Sequence, residues 1–136
     1  MQLVIDATVL LAWLFKDAAS AATDELRDSL EHTAVLVPAT WPVQVAGALC
    51  AAVRRGRLAR AEIAHVVELL EALPIKTDAR TPEQALDKIL PLALEQDLPV
   101  ADAAYLELAM REALPLATLD ERLAAAAERC GVRRVP

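Results

Sequence analysis

The sequence predicts an α/β fold of three layers, α/β/α, with helices covering both faces of a mostly parallel central sheet. Three observations lead there. Short apolar runs alternate with longer runs of helical periodicity along the chain, and such alternation implies right-handed crossovers between parallel strands. Proline or glycine stands at many of the changeovers, where each ends an element for a steric reason. With 136 residues, 56% of them hydrophobic, the chain can bury about two-thirds of its unfolded surface in one core. Residues 1–136 are therefore expected to form a single domain, with no repeat, linker or low-complexity tract.

The elements follow in order. Leu3-Val4-Ile5 is a short apolar strand ending at Asp6. Helical periodicity runs from Val9 to Phe15 and again from about Ser20 to Glu31. Ala34-Val35-Leu36-Val37 is a second strand, stopped by Pro38. A helix from about Pro42 to Arg55 ends at Gly56, a residue suited to a left-handed C-terminal cap. The next spans about Ala61 to Leu73, with Ile63, Val66, Val67 and Leu70 on one face, and Pro74 stops it. Ile75-Lys76-Thr77 is a weak strand. Thr81-Pro82-Glu83-Gln84 reads as a helix start, with a capping threonine, proline at the first helical position and glutamine closing the box. Pro91 must kink or divide the helix that follows. After Pro99, Asp102 to Glu112 is an amphipathic helix, Leu116-Ala117-Thr118 a short strand and Glu121 to Arg129 a last helix before Gly131. A final strand is expected within Val132 to Val135.

Composition excludes several function classes. The 14 basic against 20 acidic residues give a net charge of −6, so the chain as a whole is no polycation that coats nucleic acid. The longest uncharged stretch, Thr33 to Val53, is broken by Pro38, Pro42 and Gln44, which argues against a membrane span. Ala7 to Phe15 lacks the basic flank of a signal peptide. Cys50 and Cys130 form no C-x-x-C pair, which suits a reducing cytoplasm. His32 and His65 lack metal-ligand spacing, so any metal must be held by oxygen. Trp13, Trp41 and Tyr105 are expected in or beside the core.

Carboxylates at strand ends carry the chemistry. In an open parallel sheet the ligand crevice lies beyond the C-terminal ends of the strands. Asp6 ends the first strand, Asp102 opens a helix and Asp120 follows the Leu116 strand. Clustered carboxylates resist ionising together unless a cation sits among them, and hard oxygen ligands point to Mg²⁺ or Mn²⁺. Asp102 and Asp120 are equally explained as helix caps. Asp6, directly after an apolar strand, is not so easily dismissed, since its burial without a partner is costly.

The local sequences narrow this. Val4-Ile5-Asp6-Ala7-Thr8 resembles the opening motif of PIN domains, and Val100 to Ala109, with Asp102-Ala103-Ala104-Tyr105, is similar to their central Asp-Ala-x-Tyr helix. Ala117-Thr118-Leu119-Asp120 is similar to their C-terminal Thr-x-Asp motif. Order, spacing and length resemble the VapC-type toxins of bacterial toxin–antitoxin pairs. The resemblance implies a PIN-like fold and a metal-dependent endoribonuclease in which Asp6, Asp102 and Asp120 hold Mg²⁺ or Mn²⁺ and cut RNA. It implies Thr8 and Thr118 as hydroxyls that orient carboxylates or water, although Thr118 is equally read as a strand-end hydroxyl bonded to backbone. It also implies a homodimer and a small cognate VapB-type antitoxin whose C-terminal segment crosses the acidic crevice.

One position departs from the family. Its second acidic residue, a glutamate on the helix after the second strand, is here Gln44, and Gly47 stands where asparagine is common. Glutamine keeps the shape and an acceptor oxygen but not the charge, and it is no base. Gln44 is either a weakened ligand or a sign of lost activity. The leading reading is thus an impaired RNA-hydrolysing toxin. The alternative is a catalytically weakened module acting by antitoxin or RNA binding. A phosphatase fits poorly, because Asp6-Ala7-Thr8 lacks the second aspartate of a phosphoaspartate motif. Arg54, Arg55, Arg57 and Arg60 form the densest basic patch, either offsetting a helix dipole or tracking RNA phosphates. Arg133 and Arg134 are weaker candidates. The apolar face of Val9, Leu10, Trp13 and Leu14, or of the Ala61 to Leu73 helix, is either core or a partner contact.

Overall fold

Strand β1 (Gln2–Ile5) lies in the middle of a five-stranded sheet, because its residues are apolar on both sides and can be covered on both. The computed structural model describes residues 2–14, 28 and 33–135. Helix α1 (Ala7–Leu14) leaves β1 for β2 (Ala34–Pro38). Then come α2 (Trp41–Arg54), a 3₁₀ turn (Arg60–Glu62), α3 (Ile63–Glu71) and β3 (Ile75–Asp78). A helical stretch follows as α4 (Thr81–Gln84), a π turn (Ala85–Ile89) and α5 (Leu90–Gln96). The chain ends through α6 (Val100–Glu112), β4 (Leu116–Ala117), α7 (Glu121–Arg129) and β5 (Arg134–Val135).

The strand order is β3-β2-β1-β4-β5, and all four pairings are parallel. The first half of the chain steps from β1 to β3 in one direction; the second steps from β4 to β5 in the other. The reversal opens a crevice between β1 and β4 at their C-terminal ends, the place where such sheets bind ligands.

Alternation along the strands builds the layers. Leu3 and Ile5 of β1 pack with Val9 and Leu10 of α1 on one face. Val4 turns to the other and packs with Leu106 of α6 and Leu123 of α7. Val45, Leu49, Val66 and Leu70 join α2 to α3 in a third cluster. Of the α1 face considered as a partner contact, Val9 and Leu10 are fully buried core, while Trp13 and Leu14 are partly buried against two core clusters.

Several boundaries differ from expectation. Phe15 and His32 lie outside the described residues, and of the Ser20 to Glu31 run only Asp28 is described; it is helical. Pro38 does not stop β2 but is its last residue, paired with Asp78, at a strand end where a missing N–H costs little. Thr81 is not a cap. Arg80 holds the cap position without a side-chain bond. The Thr81 hydroxyl instead accepts from Ala39 N at 2.9 Å and meets Asp78 Oδ2 at 3.0 Å, tying α4 to the β2–α2 loop. Pro91 does divide its helix: with no N–H to offer, it follows a π turn and sits in the first turn of α5. Helix α6 is not amphipathic. Seven consecutive residues, Ala103 to Ala109, are buried, because the helix runs between the sheet and its neighbouring helices.

Candidate active site at the sheet crossover

Asp6 continues the ladder after β1, its N–H donating to Ala117 O at 3.1 Å. Its side chain is 3% exposed. Oδ1 accepts from Thr8 Oγ1 at 2.5 Å and Val9 N at 3.2 Å, and Oδ2 accepts from Thr118 Oγ1 at 2.5 Å. The hydroxyls are themselves held: Leu119 N donates to Thr8 Oγ1 at 2.9 Å and Asp120 N to Thr118 Oγ1 at 3.0 Å. Two threonines thus clamp the turn after β1 to the turn after β4. Burial pushes the Asp6 carboxyl above its ordinary range, outweighing the hydrogen bonds from Thr118, Thr8 and Val9 that pull it down.

Asp120 and Asp102 differ in a way that settles their capping. Asp120 is the N-cap of α7, its Oδ1 accepting from Arg122 N at 2.9 Å and Leu123 N at 3.2 Å. Asp102 caps nothing: Pro99 holds the cap position of α6, and Asp102 stands half-buried in the first turn. Its carboxyl is pushed up, first by burial and then by the charges of Asp120 and Asp6, with Arg122 pulling the other way. Asp6 and Asp120 follow the neighbouring strands β1 and β4, and the charges of both act on Asp102. Among the described residues, however, no group of three or more His, Cys, Asp or Glu stands arranged to hold a metal. The closed cage expected from sequence is not formed, since Asp6 turns both oxygens onto hydroxyls and Asp120 turns Oδ1 onto the α7 amides. The donor set still suits a hard divalent cation, which relieves the like-charge pressure on Asp102.

Gln44 lies in the first turn of α2, half-buried, and its Oε1 accepts from the Tyr105 hydroxyl at 2.6 Å. Tyr105 is fully buried. Burial and the charges of Asp6 and Asp102 push its hydroxyl well above the usual tyrosine range, against a hydrogen bond from the Ala7 backbone. Gln44 is thereby joined to the same rim, a link invisible in sequence because its two ends lie 61 residues apart.

The basic patch is elsewhere. Arg54, Arg55, Arg57 and Arg60 are exposed, and Arg54 is ten residues beyond Gln44 on one helix, about 15 Å along its axis. Arg134 pairs with Glu121 at 2.9 Å and reaches the Thr118 carbonyl. Sequence reasoning missed Arg122, whose guanidinium bonds Asp97 O at 2.7 Å beside the acids; its place two residues after Asp120 was the available signal. Trp41, Val45, Leu49, Val67 and Ile75 line an apolar groove of about 390 Å³ between α2, α3 and β3. Among the described residues no helix is long and apolar enough to cross a membrane.

Residues 3–129 match the family model described as PIN domain. Among solved structures, the crystal structure of PAE2754 from Pyrobaculum aerophilum is similar, at 26% identity over 99% of this chain and 84% of that one, with a TM-score of 0.70. No curated protein sequence matches.

Proposed function

The chain belongs to the PIN-domain family, and on that premise we propose that it is a Mg²⁺- or Mn²⁺-dependent endoribonuclease of the VapC toxin type, impaired by Gln44. What supports this is that Asp6 and Asp120 follow the adjacent parallel strands β1 and β4, and that burial and then their two charges raise the Asp102 carboxyl. These three residues would hold the cation. When bound, it would polarise a phosphoryl oxygen and lower the pKa of the attacking water. Thr8 and Thr118 fix the rotamer of Asp6, so that this ligand need not be ordered on binding. Arg122 offsets part of the acidic charge that repels an RNA backbone. Gln44 supplies no charge and no base.

The remaining assignments belong to the same reading: a cytoplasmic homodimer, and a VapB-type antitoxin laid across the acidic rim. The alternative is a binding module on the same fold, with Gln44 leaving catalysis feeble. RNA cleavage with Mg²⁺ or Mn²⁺, by this chain and by Gln44→Glu, separates them. We expect the variant to cut about 10²-fold faster and chelation with EDTA to silence both. If neither cuts while both bind RNA, the binding module stands. If the parent cuts as fast as the variant, the missing charge is not what limits it.

A further inference from the structure

The hydrogen bond between Tyr105 and Gln44 fixes which way the Gln44 amide faces. The Tyr105 hydroxyl is fully buried, so its proton must go to an acceptor, and Gln44 Oε1 stands 2.6 Å away. Turning the amide over would set NH₂ against that hydroxyl and strand a fully buried donor. The carbonyl oxygen of Gln44 is therefore committed to the protein, and the NH₂ is the end that remains. Among the described residues Gln44 Nε2 has no hydrogen-bond partner, and the buried unsatisfied side-chain atoms are Trp41 Nε1 and Arg134 Nε instead. Solvent thus reaches the Gln44 NH₂. An amide NH₂ repels a cation and attracts an anionic oxygen.

We propose that Gln44, held by Tyr105, is a substrate-binding donor that offers its NH₂ to a nonbridging phosphate oxygen of RNA, and not a cation ligand. Tyr105 acts through Gln44 as the positioning residue. The inference rests on the ribonuclease reading in taking RNA as the anion, and it replaces the weakened-ligand view of Gln44.

Two affinities test it: Mn²⁺ by calorimetry, and a fluorescent mixed-sequence single-stranded RNA in EDTA at low salt. Gln44→Met keeps length and removes both polar atoms. It is expected to weaken RNA binding about tenfold and to leave Mn²⁺ affinity unchanged. Tyr105→Phe frees the amide to turn, so RNA affinity falls and Mn²⁺ affinity rises; thermal melts confirm that both variants fold. A fall in Mn²⁺ affinity on Gln44→Met, or unaltered RNA affinity, overturns the donor assignment and leaves the ribonuclease reading in place. If the parent binds no RNA and cuts none with Mn²⁺, both fall together.

Discussion

Asp6, Asp102 and Asp120 are held on different terms, and substitution separates them. Asp102 has burial and two like charges against it, only Arg122 in its favour, and among the described residues no hydrogen bond to its carboxylate. Asp102→Asn is expected to raise the melting temperature of the cation-free protein, by about 2 °C after solvent screening, and to reduce the stabilisation that Mn²⁺ adds. Asp120 has a second duty as a cap. Asp120→Ala should cost about 1 kcal/mol while Asp120→Asn, an equally good cap, costs little; both lose Mn²⁺ affinity in the same titration. Which acid caps was not legible from residue type, since a helix start and a cation site both ask for aspartate. The deciding signal was local. Pro99 takes the cap position, which moves Asp102 three places into α6, whereas nothing precedes Asp120 that could replace it.

At the scale of elements, α6 is the helix that periodicity misjudged. Its alanines allow close packing on every side, so seven successive positions are buried with no polar stripe to mark a surface. Glu107 sits within that run and is 6% exposed. Arg111 one turn on binds it at 2.9 Å and reaches Asp78 of β3 at 2.6 Å, joining the α6 layer to the sheet edge. Removing the Arg111 guanidinium leaves two buried carboxylates without their counter-charge, and Arg111→Met is expected to cost about 3 kcal/mol in urea unfolding. Burial pushes the Asp78 carboxyl up, but Arg111 and Thr81 outweigh it and hold it below its ordinary range. A depressed carboxyl binds fewer protons folded than unfolded, so its contribution is full above the unfolded value and is lost as pH falls through the folded one. Unfolding free energy should therefore drop below about pH 4, and less steeply in Asp78→Asn. Asp6, pushed the other way, opposes this trend.

For the whole molecule, the three layers and the parallel sheet were legible because alternating runs and their prolines leave few topologies. The order of the strands was not. Thr8 and Thr118 as hydroxyls that orient a carboxylate came only from the family resemblance, because the partner at Thr118 lies 112 residues from Asp6 and leaves no local pattern. Charge distribution was legible only as a sum. The arginines that stand out in sequence lie at the far end of α2, whereas Arg122 stands at the rim. Arg122→Gln should lower the salt slope of RNA binding by about one unit, and Arg54→Gln should leave it unchanged, as read from affinities over a salt series. The β1–β4 junction also has a consequence for synthesis. The carboxylate near the start of the chain depends on a hydroxyl 112 residues later. Until that stretch leaves the ribosome, the first strand has an open flank and the cleft has only one wall. A growing polypeptide therefore has no complete crevice between β1 and β4 until Thr118 has emerged.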